Sequence, residues 1–360
     1  MLLTAAAAFG AQTQPPLNDV LTPAPTRDRK VIRRWALPGD PRGVALGSDG
    51  TIYIGLAQPQ AVIAVDPASG AIRQRIVLDS AEIASTKELV TLRTNANRTR
   101  LYIANGSDES ATILSLPGLA VLREITMEGE TIRDVIPDPR GRYLYILGRR
   151  VHVYDGEGDT ELRTLPIEDP MAIAASANGS ALAVLATEDF GNAKATVVAL
   201  YDTNTFAELA RDPLQTQKTI ESAMFAANDR SLIAFSRDSL FEKPVVSRPA
   251  RAMTQQSAGG PMRMTIDFGD LVNSNHVCLP EGSGPQVAAL TSTDELLVYA
   301  ERRCSASGAF SGSTWRVKPA SLYGISAYAI AYDAKENALV ATDRAGFLTV
   351  YKVPRVAVVR

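Results

Sequence analysis

Residues 41–78 read PRGVALGSDGTIYIGLAQPQAVIAVDPASGAIRQRIVL and decide the fold. Two tight turns lie in this stretch, Ser48-Asp49-Gly50 and Asp66-Pro67-Ala68-Ser69-Gly70, because glycine supplies positive φ and aspartate bonds its own backbone. Between and around them stand short apolar runs that alternate or are β-branched. Four strands joined by hairpins predict one antiparallel sheet. The predicted strands are 43–46, 51–56, 61–65 and 72–78.

The same unit recurs along the chain. A polar turn followed by an apolar strand occurs at spacings of 38 to 65 residues, and helical periodicity is not seen between residues 31 and 355. Repeats of about 40–50 residues with four strands are typical of β-propeller blades. We therefore predict an all-β fold, a seven-bladed β-propeller with four antiparallel strands per blade. The turns lie at Asp49, Asn97, Arg140, Asn178, Asp229, Asp294 and Glu336.

The two ends of the repeat region are expected to meet in the last blade. That blade has three clear strands, and residues 31–37 form a strand that no other unit uses. We predict that this N-terminal strand pairs onto the last blade and closes the ring, which leaves no exposed sheet edge. The alternative is that residues 356–359 fill the slot. Residues 31–360 form a single domain on either interpretation.

The first 30 residues differ from the rest. Residues 2–11, LLTAAAAFGA, form a short apolar run of small residues, too short for a membrane span and typical of a secretory signal peptide. A basic residue before the run is missing, so a ragged start is the alternative. Residues 12–27 contain four prolines and predict a poorly ordered linker. The expected location is therefore periplasmic or secreted.

The repeat resembles a known family. The unit at residues 41–70, together with the strand LYIANG at 101–106, is similar to the repeat of YVTN-type seven-bladed propellers. The resemblance is strongest in the first two blades. It implies the fold but not one activity, because related propellers include binding modules, lactonases and dehydrogenase subunits.

Composition excludes several classes of function. The 360 residues carry 37 Lys and Arg against 39 Asp and Glu, a net charge of −2, with only 2 His and 2 Cys. A nucleic-acid binder has a basic excess, and a disulfide scaffold has many more cysteines. Histidine-based metal sites or catalysis are not expected, and His152 and His276 both fall on predicted strands away from the channel mouth. No cofactor is expected.

Polar residues at the predicted channel mouth are the candidate ligand site. In a propeller the segments entering the first strands and those following the second strands share one side, which we call the top edge. They suit a small polar ligand, or a divalent cation such as Ca²⁺ held by Glu88, Asp169 and Glu221. The alternative is a wet channel mouth whose charges pair with one another. The candidates are Arg42, Glu88, Arg133, Asp169, Lys218, Glu221, Gln286 and Tyr328.

The fifth unit carries a long insertion. The surplus residues, 237–260, are expected to follow its second strand and to hang over the top edge as a partner-docking loop or lid; a tolerated surface insertion is the alternative. The docking candidates are Arg237, Phe241, Arg248, Arg251 and Met253.

The two cysteines are placed near this insertion. Cys278 is expected to end the fourth strand of the fifth blade, and Cys304 to follow the second strand of the sixth. Neighbouring blade ends would bring them within bonding distance, so a disulfide is predicted, with two unrelated thiols as the alternative.

These features favour a non-enzymatic binding or scaffold module that acts outside the cytoplasm through its top edge and the fifth-blade insertion. Another protein or a small polar ligand is the expected partner, nucleic acid is not, and the chain is expected to be a monomer without a membrane span. The alternative is a lactonase-like or metal-dependent hydrolase with carboxylates at the channel mouth, such as Glu88, Asp169 and Glu221 with Arg133. A redox-complex subunit gains no support, because no cofactor ligand is visible.

Overall fold

The structure is a computed structural model. The described residues contain strands and turns and no helix, and so no helix that could cross a membrane. The structure describes residues 19–26, 31–57, 60–78, 89–105, 109–189, 191, 194–213, 219–225, 229, 231–236, 239–244, 263–267, 276–278, 287–290, 296–300, 315–316, 327–333, 336, 338–343 and 345–352.

The first four sheets follow one another along the chain. Each has four antiparallel strands in sequential order, as the sequence predicted. The N-terminal strands β1 (Thr22–Pro23) and β2 (Val31–Ala36) precede them. Sheet 1 is β3 (Pro41–Leu46), β4 (Ile52–Ala57), β5 (Gln60–Val65) and β6 (Ile72–Val77); sheet 2 is β7 (Leu89–Thr94), β8 (Arg100–Asn105), β9 (Ser110–Ser115) and β10 (Val121–Thr126); sheet 3 is β11 (Asp134–Pro137), β12 (Tyr143–Leu147), β13 (Val151–Asp155) and β14 (Glu161–Thr164); sheet 4 is β15 (Pro170–Ala175), β16 (Ala181–Asp189), β17 (Lys194–Asp202) and β18 (Glu208–Pro213).

Three further sheets occur in the described part of the chain. Sheets 5 and 6 again have four strands, and sheet 7 has five because β1 and β2 join it. Strand β2 pairs antiparallel with the third strand of sheet 7, with Ala36 opposite Phe347. Sheet 5 is β19 (Ile220–Phe225), β20 (Ser231–Ser236), β21 (Ser239–Pro244) and β22 (Arg263–Asp267); sheet 6 is β23 (His276–Cys278), β24 (Val287–Leu290), β25 (Leu296–Ala300) and β26 (Trp315–Arg316); sheet 7 adds β27 (Ala327–Asp333), β28 (Ala338–Asp343) and β29 (Phe347–Lys352).

Apolar cores lie between neighbouring sheets. The two middle strands of a sheet are apolar on both faces, as β4 (IYIGLA) and β5 (QAVIAV) illustrate, and every residue of these two strands is buried. One core joins sheets 7 and 1, and four others join sheets 1 and 2, 2 and 3, 3 and 4, and 4 and 5. Each fully buried Leu or Ile in them contributes about 1.5–3 kcal/mol. Sheets 7, 1, 2, 3, 4 and 5 therefore stack face to face in order.

The turns between first and second strands define what we call the bottom edge. In each of sheets 1 to 4 a polar side chain closes this turn by accepting backbone N–H groups. Asp49 accepts from Thr51 N at 3.0 Å, and Asp138 accepts from Arg142 N at 3.1 Å. Asp138 is fully buried and also accepts from Arg142 Nε at 3.0 Å. The corresponding residues in sheets 2 and 4 are Asn95 and Ser176.

The N-terminal segment differs from the disordered linker that the sequence predicted. Residues 19–24 lie along the outer edges of sheets 7 and 1: Leu21 N donates to Gly70 O at 2.9 Å, and Ile72 N donates to Asp19 O at 2.8 Å. Leu21 is only 4% exposed and packs in the core that contains Trp35. A burial site for one leucine therefore orders part of a proline-rich segment whose composition alone indicates disorder.

Three strand assignments in the later units need correction. Ser239–Pro244 forms the third strand of sheet 5, so the surplus residues do not begin after the second strand. They join β21 to β22, and β21 ends at the bottom edge, opposite the predicted position. Cys278 lies on the first strand of sheet 6, not on the fourth strand of sheet 5, and Leu296–Ala300 is the third strand of sheet 6 rather than its second.

Candidate functional site

A β-bulge recurs near the start of the first strands of the sheets, at the top edge. In β3, Pro41 pairs with Leu56 and Gly43 pairs with Gly55, which leaves Arg42 as the extra residue. Bulges of this kind re-aim a side chain and end strand pairing, and they are common beside functional sites. Three predicted site residues, Arg42, Glu221 and Tyr328, share this register position. In the described first strands, the residues at this position are Arg42, Val90, Met171, Glu221 and Tyr328.

Arg42 is paired locally. Its Nη2 donates to Asp40 Oδ2 at 2.6 Å, and 17% of the arginine side chain is exposed. The pair lies where the chain enters β3 from sheet 7. A charge-assisted hydrogen bond of this length fixes the arginine and neutralises much of its charge.

Arg133 bridges two sheets at the same edge. Its backbone N donates to Leu147 O at 2.7 Å, so it directly extends β11. Its Nη2 donates to Gly148 O at 2.5 Å and also contacts Pro170 O, the first residue of β15. Burial of the guanidinium lowers the pKa of Arg133, and the nearby Asp169 acts in the opposite direction. The side chain therefore joins sheets 3 and 4 through main-chain carbonyls.

Asp169 is exposed and has a left-handed backbone, with φ of 45°. Its N–H donates to Arg149 O at 3.0 Å, which ties the entry to β15 to the top-edge hairpin of sheet 3. On the same hairpin, Arg150 contacts Glu168 at 3.4 Å, and both side chains are largely exposed. Positive φ is uncommon for aspartate and is held here by these neighbouring contacts.

An ion pair that the sequence did not predict joins the first strands of sheets 2 and 3. Arg93 on β7 donates from Nε and Nη2 to the two carboxylate oxygens of Asp134 on β11, at 2.9 and 2.7 Å. Thr91 donates to the same carboxylate at 3.2 Å. Although burial acts against it, Asp134 raises the pKa of Arg93. The charged residue Arg93 within the strand LVTLRT is the signal that could have identified this pair.

His152 lies on the third strand of its sheet, as predicted, and makes contacts that the sequence did not predict. It lies on β13 with 11% of its side chain exposed, close to the top edge. Nε2 lies 3.1 Å from Glu130 Oε2, and Nδ1 lies 2.8 Å from Glu161 Oε1. Glu130 belongs to residues 127–133, which connect β10 to β11 and which we call the 127–133 connection. The imidazole thus links a strand to a top-edge connection.

Several predicted residues lie outside the described part of the chain. These are Glu88, Lys218 and Gln286 of the ligand site, Arg237, Arg248, Arg251 and Met253 of the docking loop, and Cys304. For Glu221, Tyr328, Phe241 and Cys278 the structure gives the strand position alone. In the described ranges, no three His, Cys, Asp or Glu side chains are placed to hold a metal ion.

Many solved structures resemble the chain, and two of them illustrate the similarity. One, the crystal structure of Mitotic Checkpoint Complex, has a TM-score of 0.66 at 12% identity and covers 92% of this chain and 98% of that one. The other, the β-propeller domain of Myceliophteria thermophila Cps50 (Swd1), has a TM-score of 0.66 at 16% identity and covers 92% of this chain and 100% of that one. These similarities establish a β-propeller-type fold and nothing about activity. No family model and no curated protein matches the chain, so the YVTN resemblance stays a prediction.

Proposed function

We propose that this chain is a non-enzymatic binding or scaffold module that holds a protein partner at its top edge. The observation that carries the proposal is the state of the top-edge charges. Arg42 is hydrogen-bonded to a carboxylate, and Arg133 to main-chain carbonyls. A catalytic centre needs polar groups free to act on a substrate, whereas paired charges on a rigid edge suit recognition of another surface.

The proposal includes the architecture and the location. The seven sheets would be the blades of one ring, closed by the pairing of β2 with β29. The apolar leader at residues 2–11 supports export, and hence a periplasmic or secreted module that acts as a monomer. One of the similar solved structures is a multi-component assembly by its description, Mitotic Checkpoint Complex, which supports a scaffold role for the fold.

Charge reversal on the two edges tests the partner surface. Arg150 at the top edge and Arg140 at the bottom edge are both exposed arginines, so Arg150→Glu and Arg140→Glu form a matched pair. The tagged full chain is recovered from the cells that produce it, and its partners are quantified by mass spectrometry. We expect Arg150→Glu to reduce recovery of the partner by about fivefold and Arg140→Glu to leave it unchanged, because a charge at an interface rim is worth about 1 kcal/mol.

Equal recovery with all three chains would remove the top edge as the docking surface. A further variant that replaces residues 246–261 by a Gly/Ser linker separates the insertion from the top edge, because it leaves β21 and β22 intact. Loss of the partner with this variant alone would move the docking site to the insertion. Turnover of a lactone by the purified chain would overturn the non-enzymatic part of the proposal in favour of the hydrolase.

A further inference from the structure

The contacts of His152 require more protons than a neutral imidazole carries. Each of its ring nitrogens lies within 3.1 Å of a different carboxylate oxygen, Glu130 Oε2 or Glu161 Oε1. An ionised carboxylate only accepts hydrogen bonds, and a neutral imidazole has a single N–H. Both contacts are hydrogen bonds only when both nitrogens are protonated. In the neutral ring, one nitrogen lone pair faces a carboxylate.

Glu161 is the better held of the two carboxylates. It lies 2.8 Å from His152 and accepts from Thr164 Oγ1 at 2.8 Å. Burial acts to raise the pKa of Glu161, but the hydrogen bonds from His152 and Thr164 outweigh it and hold the value below the usual range. A neutral imidazole that keeps its proton on Nδ1 would therefore stay bonded to Glu161.

Glu130 is the partner that a neutral imidazole would release. Its contact with His152 is longer, at 3.1 Å, and its remaining donor is the backbone N of Arg149, also at 3.1 Å. Glu130 belongs to the 127–133 connection, which ends at Arg133. Ile132 anchors the C-terminal half of that connection in the core and is fully buried. Loss of the histidine contact would therefore loosen the exposed stretch around Glu130 first.

The fit around Glu130 is tight. A Cβ at Gly148 would lie 2.5 Å from Glu130 Oε2. The carbonyl of the same glycine accepts from Arg133 Nη2 at 2.5 Å. The hairpin of sheet 3 thus contacts the middle and the C-terminal end of the connection, through Glu130 and Arg133.

We propose that Glu130, His152 and Glu161 form a proton-operated clamp that holds the 127–133 connection on the top edge while both imidazole nitrogens carry protons. The clamp is closed at lower pH and opens as the pH rises, because deprotonation removes the donor to Glu130. Besides the two glutamates, the titratable group beside the cluster is Tyr154 on the same strand, whose pKa is raised by burial and by Glu161 and Glu130. That the clamp adjusts partner binding rests on the function proposed above.

Hydrogen exchange of the full chain at about pH 5.5 and about pH 8 tests the clamp, because these two values bracket the protonation range of an ordinary imidazole. After correction for intrinsic rates, we expect residues 128–131 and the amide of Arg149 to exchange about fivefold faster at the higher pH. The turn at residues 138–142 is the internal control and should show the same protection at both values.

Two variants decide between the clamp and ordinary loop motion. His152→Gln cannot change charge, so its exchange should be the same at both pH values. Gly148→Ala pushes Glu130 away while leaving His152 in place, so exchange should be fast at both. A wild-type chain without the pH step, or a step that persists in either variant, would overturn the clamp. If His152→Gln does not fold, Gly148→Ala gives the answer alone.

Partner recovery at the two pH values is a separate measurement. A clamp that passes the exchange test while recovery stays constant would leave the clamp standing and remove its regulatory role. Absence of any partner would instead overturn the proposed function without affecting the exchange result.

Discussion

The bottom and top edges of sheets 1 to 4 are built in different ways. At the bottom edge, one polar side chain closes each turn on its own backbone, as Asp138 does with Arg142, and neighbouring turns are also joined, as Arg98 is to Gly47 O. At the top edge, the contacts join separate elements: Arg133 reaches Pro170 O at the start of β15, and Glu130 reaches His152. The repeated local turns fix the shape of the sheets, and the unrepeated long-range contacts vary from one sheet to the next. An edge that varies is the one on which a specific surface can be built.

The largest expected effect is at the bottom edge. Asp138→Ala removes a fully buried carboxylate that accepts from Arg142 N and Nε, and it leaves both donors without that acceptor. We expect a loss of about 2–4 kcal/mol in the free energy of unfolding, measured by urea titration. Arg140→Ala on the same turn is exposed and should change stability by less than about 0.5 kcal/mol. A loss below about 1 kcal/mol for Asp138→Ala would show that the turn does not depend on this side chain.

A smaller effect is expected for the ion pair between β7 and β11. Asp134→Asn weakens the contact with Arg93, whose side chain is 41% exposed against 15% for Asp134. Because water screens the exposed arginine, we expect a loss of about 1–2 kcal/mol in the same titration. Glu168→Gln, at a side chain that is 82% exposed, is the control and should be neutral. If Asp134→Asn costs as much as Asp138→Ala, the partly exposed pair between strands matters as much as the buried carboxylate of the turn.

The smallest expected effect is on the acid dependence of stability, through Asp66 in the turn after β5. Backbone N–H donors from Ser69 and Ala68, together with Arg73, outweigh burial and lower the pKa of Asp66 to about 2. A depressed carboxyl pKa stabilises the fold above the unfolded value and loses that contribution as the pH falls towards 2. Asp66→Asn should therefore flatten the acid limb of the stability profile between about pH 4 and pH 2, while Glu168→Gln should not. An unchanged acid limb in Asp66→Asn would contradict this assignment.

The two edges then respond to pH in opposite directions. The Asp66 turn of sheet 1 loses stability as the pH falls towards 2, and the proposed clamp at His152 opens as the pH rises towards about 8. A single scan of stability and exchange over the whole range would distinguish them, because the first changes global unfolding and the second changes one connection.

Sequence reasoning succeeded where the chemistry is local. The turns at Asp49, Asn97 and Asn178 and the apolar strands after them could be predicted because Asp, Asn and Gly bond or bend their own backbone. The contacts between separate elements could not be predicted, because the partners stand far apart in the sequence: Arg93 and Asp134 are 41 residues apart, and His152 and Glu130 are 22 apart. Periodicity reports which face of a strand is apolar and does not report which loop lies above it.

The later units show the same limit. Residues 239–244 (SLFEKP) have a charged pair and a proline, and this composition predicts an insertion. Pairing with Ser231–Ser236 makes them a strand. In sheet 6, the three residues His276–Cys278 pair with Val287–Leu290 and shift every later strand of that sheet by one position. Tertiary pairing overrides composition in both cases.

The pairing of β2 with β29 has a consequence for biosynthesis. Val31–Ala36 leaves the ribosome long before its partner Phe347–Lys352, because sheets 1 to 6 lie between them in the sequence. Sheet 7 is therefore unable to assemble until sheets 1 to 6 have been synthesised, and β2 has an unpaired edge during that time. Contacts so distant in sequence slow folding, and exposed strand edges favour aggregation in the meantime. Residues 19–24, which bind the outer edges of sheets 7 and 1, would then reach their native positions late in folding.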